Sequence, residues 1–509
     1  MHWKKSDLLF LPVGGSEEIG MNANLYHYED KWILIDLGIS FPDETDLGID
    51  VLLPDFEFIK SLGDDFLGIL LTHGHEDHIG AIPYFADDIN CPIWGTSFTM
   101  ALLKRKLKEN NKEKKLKLNT LTINEQLKIG PFQIKAIQTS HSIPDPVSLL
   151  ISTKEGNIFH SGDWKLEKSF NLNEKTNIEN FRSIGASGIL AMVCDSTNAL
   201  VNGKTPSENI AYDGLFDTIK DRKGTVLVTC FSSNISRIKS ILDIATGSGC
   251  IAVSLSRAML RAIDAAKEVG FLTDIPDLLS LKDLSLIPRS NVLIISTGSQ
   301  GEPNSALSRI SKDTDKFIKL VKGDTLIFSS RKIPGNENAI LKVQNRFLER
   351  GIEIITDDDK NVHVSGHPSR DELIEMYSYI KPKISIPVHG TREHIEAHAD
   401  LASNCQVPNI IKPKNGEIIK LNANTPNAIS KIDFTTHVFD AGEIIRINNE
   451  RFTTKRNYIW NEFDTMSSVI NKDGNDVINT QICKTGMSEN RMVAVAKKHL
   501  QDNETESEQ

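Results

Sequence analysis

The sequence contains no segment typical of a membrane span and no cysteine motif. No stretch of about 18 uncharged apolar residues occurs in its 509 residues, so the chain is not expected to cross a membrane. Residues 1–7 have no apolar run after their lysines, which argues against a secretory signal. No Cys-x-x-Cys pair is present, and free thiols in a reducing cytoplasm are therefore predicted. The cysteines are Cys91, Cys194, Cys230, Cys250, Cys405 and Cys483.

The chain also lacks an excess of positive charge. Lys and Arg total 58, Asp and Glu total 68, and the net charge is -10. This balance argues against a protein that coats polyanions indiscriminately, although a local basic patch or a metal centre still attracts nucleic acid. The segment 104–117 has eight basic residues against Glu109 and Glu113. It is either such a patch or the solvated face of a helix.

Length and composition predict a globular protein of more than one domain. The hydrophobic content of 39% and the charged content of 25% are ordinary, and no internal repeat is present. Antiparallel strands are predicted at 8–13, 23–28 and 31–36, and strands then alternate with helices to about residue 200. The predicted domains are 1–205 and 356–425 as two parts of one domain, 206–355 as an inserted α/β unit, and 426–509 as a linker and shortened C-terminal region.

The clearest chemical signal is a group of metal-binding side chains directly after a predicted buried strand at 66–72. The loop that follows contains His73, His75, Asp77 and His78. The first two histidines can bind one cation, and the last two residues can bind a second cation beside it. Imidazole nitrogen and carboxylate oxygen together suit zinc or a similar divalent ion. Two adjacent ions are the arrangement that activates water and stabilises displacement at phosphorus.

Further candidate ligands stand singly at the ends of predicted strands. His141 follows an apolar-patterned strand at 132–137, and Asp163 follows a turn-forming Ser-Gly pair. His389 ends the run Ile384-Ser-Ile-Pro-Val. Taken alone, His141 is more often an ordinary loop histidine and Asp163 a turn-forming residue. Asp36 ends another apolar run near the metal loop, and both a role in orienting a ligand histidine and a turn-capping role stay open.

With these segments in view, the sequence resembles the ribonuclease J family, in the β-CASP branch of the metallo-β-lactamase fold. The resemblance covers roughly residues 8–425 and rests on short motifs whose joint order and spacing are specific. The motifs are Gly14-Gly-Ser-Glu-Glu-Ile-Gly-Met-Asn22, the loop from His73 to His78 with Gly80, His160-Ser-Gly-Asp163, Cys194-Asp-Ser-Thr-Asn198, Phe231-Ser-Ser-Asn234, Ser296-Thr-Gly-Ser-Gln-Gly-Glu-Pro303, Ile333-Pro-Gly-Asn-Glu337, the segment from His363 to His367, and Pro387-Val-His-Gly390. The implied fold is an α/β metallo-β-lactamase αββα sandwich with an inserted α/β β-CASP domain and a short C-terminal extension.

The resemblance implies a ribonuclease with two zinc ions per subunit, for which Mn²⁺ or Mg²⁺ can substitute. Asp195 would orient His367, which would protonate the leaving 3′ oxygen or stabilise its charge. Asp77, Asp195 and His367 are thus the implied catalytic residues. The implied ligands are His73, His75 and His141 for one ion, Asp77, His78 and His389 for the other, and Asp163 as the bridge.

The same resemblance implies single-stranded RNA as the substrate, with 5′-monophosphorylated ends preferred. Hydroxyl, amide and backbone N–H groups suit phosphate binding without adding charge. Taken singly, Ser232 or Asn234 is more often a helix N-cap. The implied substrate-binding residues are Ser232, Ser233, Asn234, His363, Val364, Ser365, Gly366 and His367.

The family resemblance also implies a cellular role and partners. It implies 5′-to-3′ exonuclease activity together with endonuclease activity, in mRNA decay and rRNA 5′-end maturation. RNA-decay or ribosome-associated partners and assembly as a homodimer or homotetramer are implied as well. Only about eighty residues follow residue 425, however, and the usual C-terminal domain of the family is not recognisable in them.

Two other features have alternative interpretations. The stretch Asp243-Ile-Ala-Thr-Gly-Ser-Gly-Cys-Ile-Ala-Val-Ser-Leu255 resembles the glycine loop of an S-adenosylmethionine-dependent methyltransferase, but no convincing strand directly precedes it. We interpret it as a turn between a helix and a strand of the inserted unit. Asp50 near Gly48 is a candidate for a structural calcium site or an ordinary turn residue. A helix at 488–500 and a disordered tail at 501–509 are predicted.

Two alternative functions accompany the ribonuclease hypothesis. One is another hydrolase of this fold, such as a DNA nuclease or a small-ester hydrolase, and the β-CASP motifs argue against small esters. The other is a non-catalytic RNA-binding or assembly subunit. Silent subunits tend to lose metal ligands, and every expected ligand is present here.

Overall fold

Two sheets packed face to face form the centre of the larger unit. The computed structural model describes residues 3–41, 51–167, 176–303, 305–333, 336–440 and 443–446, with the short pairs 469–470 and 477–478. Apolar side chains of both sheets meet in one core, for example Phe10 and Ile35 from the first sheet with Ile134 and Leu149 from the second. Because side chains alternate between the faces of a strand, each sheet contributes one apolar layer to this core.

The first sheet has eight strands and the second has seven. In spatial order, the first consists of Asn427–Lys431, Glu417–Lys420, Leu9–Gly14, Ala23–Tyr28, Lys31–Ile35, Phe66–Leu70, Ile93–Gly95 and Leu118–Thr120. The second consists of Asn409–Ile410, Ile384–Val388, Ile189–Asp195, Asn157–His160, Val147–Ser152, Phe132–Gln138 and Gln126–Ile129. Smaller pairings join Ser16–Glu17 to Gly390–Thr391, His437–Asp440 to both Val51–Leu53 and Glu443–Arg446, and Val469–Ile470 to Val477–Ile478.

Helices cover the outer face of each sheet. Phe85 and Leu103 belong to the apolar cluster outside the first sheet, and Phe181 and Met376 to the cluster outside the second. The predicted αββα sandwich is therefore confirmed. The helices are Glu57–Ser61, Glu76–Ile79, Ile82–Phe85 and Ser97–Glu109 on the first sheet, and Ile178–Ala186, Arg370–Ile380 and Arg392–Asn404 on the second.

A third sheet of five parallel strands lies in the predicted insert. Apolar clusters cover both of its faces, as parallel sheets require. Its strands are Ile251–Ser254, Val292–Ser296, Val226–Thr229, Thr325–Phe328 and Glu353–Ile355, with helices Glu208–Ile219, Ile235–Gly247 and Arg257–Glu268 on one face and Ala306–Ser311 and Glu337–Glu349 on the other. Short 3₁₀ turns occur at Gly63–Asp65, Leu284–Leu286 and Arg289–Asn291. The sheet lies inside 206–355, and the domain bounds themselves stay predictions.

The insert packs on the sandwich through two helices, Ser97–Glu109 and Arg257–Glu268. The ion pair between Arg105 and Glu268 spans 2.7 Å, and the pair between Arg261 and Glu109 also spans 2.7 Å. Because these pairs run in opposite directions between the helices, they fix the helices side by side.

Other basic residues of the segment 104–117 pair within the sandwich. Lys106 pairs with Glu76, while Lys112 and Lys115 both pair with Asp87. Together with the Arg105 pair, these contacts neutralise half of the eight basic residues. The segment therefore fits the solvated helix face better than an open basic patch.

Some local predictions differ from the structure. The helical part directly after the metal loop is divided into two short helices, Glu76–Ile79 and Ile82–Phe85, because Pro83 has no N–H and favours a new helix start. The chain past residue 425 adds strand Asn427–Lys431 to the first sheet, so the fold continues into the predicted C-terminal region. The glycine-rich stretch is the end of helix Ile235–Gly247 and a turn into strand Ile251–Ser254, as predicted.

Three predictions fall outside the described residues. They are the calcium candidate Asp50 with Gly48, the helix at 488–500 and the tail at 501–509. Among the described helices, none has the length and apolar character needed to cross a membrane.

Candidate metal centre

All seven predicted metal ligands converge at one edge of the sandwich. They follow strand ends of both sheets, where the backbone turns and side chains are free to point at one another. The ligands are His73, His75, Asp77 and His78 after Phe66–Leu70, His141 after Phe132–Gln138, Asp163 after Asn157–His160, and His389 after Ile384–Val388. They form two groups that share Asp163, and the ligand atoms of each group lie within 4.8 Å of one another.

The first group consists of three histidines. His75 Nδ1 lies 3.0 Å from His73 Nε2 and 3.2 Å from His141 Nε2. Nitrogens bound tetrahedrally to one zinc ion at about 2.0–2.1 Å are roughly 3.3 Å apart. The three nitrogens are therefore spaced as ligands of a single small cation.

The second group combines two histidines with a carboxylate. Asp77 Oδ2 lies 3.2 Å from His389 Nε2 and 3.5 Å from His78 Nε2. Asp163 stands between the groups, because its Oδ2 lies 3.3 Å from His78 Nε2 and 3.7 Å from His73 Nε2. One carboxylate oxygen thus lies next to both groups of candidate ligands.

Hydrogen bonds set which nitrogen of each ring faces the centre. His78 Nδ1 donates to Asp36 Oδ2 at 2.7 Å, and His73 Nδ1 donates to Thr72 Oγ1 at 3.0 Å. His141 Nδ1 donates to the carbonyl oxygen of Gly366 at 2.7 Å. Because Nδ1 makes this contact in each case, Nε2 is the atom of each ring that faces the candidate centre.

Asp36 supports the metal loop from the end of strand Lys31–Ile35. It is 1% exposed, and its carboxylate also accepts hydrogen bonds from Thr72 N and Thr72 Oγ1, both at 2.8 Å. Its backbone has a φ of 62°, a left-handed conformation that places the carboxylate beneath His78. Of the two interpretations left open for Asp36, the structure favours the orienting role.

The electrostatics of the site suit divalent cations. Burial lowers the pKa of His73 and His141, so both rings are neutral and available as ligands. Burial also disfavours a charged His78, but Asp163, Asp77 and Asp36 outweigh it and raise its pKa. Burial would raise the pKa of Asp163, and the surrounding histidines lower it instead. The centre therefore has buried carboxylate charge that a dication would neutralise.

His367 lies beside the two groups and is held by Asp195. Its Nδ1 donates to Asp195 Oδ2 at 2.8 Å and lies 3.8 Å from Asp163 Oδ2. Burial lowers the pKa of His367, but Asp195 and Asp163 outweigh this and raise the pKa to about 9. Its side chain is 20% exposed.

The other predicted substrate-binding residues occupy two segments near this face. Asn234 is buried and caps helix Ile235–Gly247, since its Oδ1 accepts from Arg237 N at 2.9 Å. Ser232 and Ser233 before it are half-buried. In the second segment, His363 and Ser365 are half-buried, Val364 is buried, and Gly366 touches His141.

Gly366 lies so close to the predicted ligand His141 that a side chain would not fit between them. A Cβ atom at Gly366 would lie 2.6 Å from both Cε1 and Nδ1 of His141. Gly366→Ala is expected to tilt the imidazole and weaken its hydrogen bond, lowering zinc affinity about 10- to 100-fold, as loss of an orienting contact does. Zinc titration against a competing chelator measures this. Gly247→Ala, where nothing lies within 4 Å, is the matched control, and equal affinities for both variants would contradict the prediction.

Several supporting residues escaped the sequence analysis. Asn198 donates to Ser365 Oγ and to the carbonyl oxygen of His367, although it was quoted only as part of a motif. Glu372 forms a capping box with Ser369, a pattern that is readable from Ser-x-x-Glu. Its carboxylate also accepts from Leu166 N at 2.8 Å, a contact across the fold that no local pattern indicates.

Comparison with known proteins divides the chain into three matched segments. Residues 20–174 match the model of the metallo-beta-lactamase superfamily. Residues 223–347 match the model "Ribonuclease J, beta-CASP domain". Residues 351–413 match the "Zn-dependent metallo-hydrolase RNA specificity domain".

Full-length relatives agree with these matches. Ribonuclease J of Sinorhizobium meliloti is 40% identical over 445 residues, which cover 86% of this chain and 78% of the relative. Ribonuclease J of Mycolicibacterium smegmatis is 36% identical and is aligned over 80% of this chain and 74% of the relative. A crystal structure of an Enterococcus faecalis protein of unknown function has a TM-score of 0.59 at 17% identity, covering 82% of this chain and 100% of that one, which supports the fold alone.

Proposed function

Because the chain belongs to the ribonuclease J family and is a metal-dependent ribonuclease, we propose that it holds two zinc ions and cleaves 5′-monophosphorylated single-stranded RNA, both from the 5′ end and internally. The observation that carries this proposal is the position of Asp163 between the two ligand groups. Its Oδ2 lies 3.3–3.8 Å from His73, His78, His141 and His389. A buried carboxylate in this position suits a bridge between two cations.

The ligand chemistry favours zinc. The first group offers three imidazole nitrogens, and the second offers two imidazoles and Asp77. Nitrogen-rich sites prefer zinc among the common divalent ions, while Mn²⁺ or Mg²⁺ would substitute at the carboxylates. When bound, two such ions lower the pKa of a water molecule and neutralise charge on the scissile phosphate.

The chain's own residues complete the reaction. His367 would donate a proton to the leaving 3′ oxygen, and its 2.8 Å contact with Asp195 supports this role by orienting the ring. The groups in the segments 232–234 and 363–367 would contact RNA phosphates through hydroxyl and backbone N–H donors. Asn234 would act there mainly by fixing the start of helix Ile235–Gly247, because its side-chain oxygen already accepts a hydrogen bond.

The proposed substrate is tested with one internally labelled RNA bearing either a 5′-monophosphate or a 5′-triphosphate. Each is incubated with the full chain and Zn²⁺ or Mn²⁺, and the products are resolved over time. We expect mononucleotides to be released, faster from the monophosphate end. Discrete internal fragments alone would remove the exonuclease part of the proposal, and cleavage of matched DNA but not RNA would overturn the substrate.

The family role extends this proposal to the cell. Decay of mRNA and maturation of rRNA 5′ ends would use the same reaction, in a cytoplasm where free thiols persist. The five described cysteines are unpaired, in keeping with that compartment. Assembly as a homodimer or homotetramer stays a prediction, and analytical ultracentrifugation of the full chain measures it.

A further inference from the structure

Arg331 joins the insert to the sandwich at the metal face. It follows strand Thr325–Phe328 of the third sheet, and its side chain is exposed. Its Nη1 donates to Asn198 Oδ1 at 2.9 Å. Asn198 lies just after strand Ile189–Asp195 of the second sheet and is 3% exposed, so the contact connects the two units.

Asn198 also contacts the segment that contains His367, and it thereby links this segment to Arg331. Its Nδ2 donates to Ser365 Oγ at 2.8 Å and to the carbonyl oxygen of His367 at 3.1 Å. A carboxamide has one acceptor and one donor end. Because Arg331 occupies the acceptor end, the donor end must face Ser365 and His367, and the guanidinium thereby sets the orientation of the amide.

The backbone around Arg331 is itself held in place. Gln300 Nε2 donates to the carbonyl oxygen of Arg331 at 2.8 Å, and Gln300 Oε1 accepts from Ile333 N at 2.9 Å. Gln300 is 6% exposed and belongs to the segment 296–303. The segment 296–303 contributes none of the predicted metal ligands. Its Gln300 holds the backbone on the C-terminal side of Arg331, which is a structural role for this motif.

From these contacts we infer that Arg331 is a positioning residue for His367. Acting through Asn198, it would keep His367 beside Asp195 and Asp163 only while the insert is docked on the sandwich. Chemistry on the RNA phosphodiester would then depend on the closed arrangement of the two units. This inference rests on the proposed role of His367 toward the leaving oxygen.

The test compares variants of the full chain at Arg331 and at its neighbour. Arg331→Met removes the hydrogen bond, Arg331→Lys keeps a donor, and Lys332→Met removes a cation that pairs with Asp358 instead. We expect Arg331→Met to lower kcat about tenfold, as loss of an orienting contact does, with KM unchanged. Arg331→Lys should recover most of kcat, and Lys332→Met should behave as the unsubstituted chain.

A second measurement does not depend on turnover. The amide of His367 donates to Ser365 Oγ at 3.2 Å, so its exchange with deuterium reports the order of this segment. In metal-free protein, peptides covering 363–369 should exchange several-fold faster in Arg331→Met and unchanged in Lys332→Met. The double variant with Asn198→Ala should lose no more kcat than the more impaired single variant, since the two residues act in series.

The outcomes separate this inference from the proposed function. A raised KM with unchanged kcat in Arg331→Met would overturn it and assign Arg331 to phosphate binding. Unchanged kcat and unchanged exchange would also overturn it, as would additive losses in the double variant. Full activity of Asp77→Ala would instead overturn the two-metal proposal, whatever Arg331 does. If His367→Ala were fully active while Arg331→Met had a lowered kcat, Arg331 would not act through His367.

Discussion

Asp77→Ala is expected to abolish RNA cleavage while leaving the chain folded. Asp77 supplies the carboxylate of the second ligand group, 3.2 Å from His389 Nε2, and its side chain is 29% exposed. Losing it leaves two imidazoles and the shared Asp163 for the second ion. Lewis-acid stabilisation is worth several kcal/mol, so kcat should fall by more than about 1,000-fold. Unfolding temperature should hardly change, because the loop lies outside the apolar cores. Single-turnover cleavage, zinc content by mass spectrometry and thermal unfolding measure these effects.

Glu76→Gln is the matched control for Asp77→Ala. Glu76 is the preceding acid in the same loop, its carboxylate pairs with Lys106, and it belongs to neither ligand group. It should retain zinc and activity, which separates loss of a ligand from loss of charge in the loop. Substantial cleavage by Asp77→Ala, or by His78→Ala tested in parallel, would contradict the two-metal scheme.

His367→Ala is expected to slow the chemical step far more than it weakens RNA binding. Burial lowers the pKa of His367, but Asp195 and Asp163 outweigh it and raise the pKa to about 9, and His367 belongs to neither of the two ligand groups that share Asp163 with the other histidines. Removing a general acid typically costs about 100- to 10,000-fold in rate. Zinc content should be unchanged. Single-turnover rates, compared with RNA affinity measured by fluorescence anisotropy, separate the two effects.

Asp195→Asn tests the same role of His367 with a milder change. Asparagine keeps the shape and can still accept from His367 Nδ1, but it removes the negative charge that stabilises the protonated ring. Its rate should therefore lie between that of His367→Ala and that of the unsubstituted chain. Equal losses of rate and affinity in His367→Ala would transfer His367 from proton transfer to phosphate recognition.

Four of the seven candidate ligands could be predicted from local features of the sequence. His73, His75, Asp77 and His78 follow one apolar strand within six residues, and strand ends indicate where a loop can present side chains. The opening strands could also be predicted from local sequence. Apolar patterning predicted strand Ala23–Tyr28 with the bounds that the structure has. His141, Asp163 and His389 are isolated, and only the family resemblance assigned them to the site.

By itself, the sequence determined the strand pattern, the metal-binding loop and the family, because these depend on neighbouring residues and short motifs. Tertiary structure alone decided how the ligands are oriented and what joins the insert to the sandwich. The contact between Gly366 and His141 spans 225 positions, and the contact between Arg331 and Asn198 spans 133. No periodicity or spacing encodes such pairs, since they form only when separate sheets pack at one edge. The sequence left two interpretations of Asp36 open, and only the packing showed that it is a hydrogen-bond partner of His78.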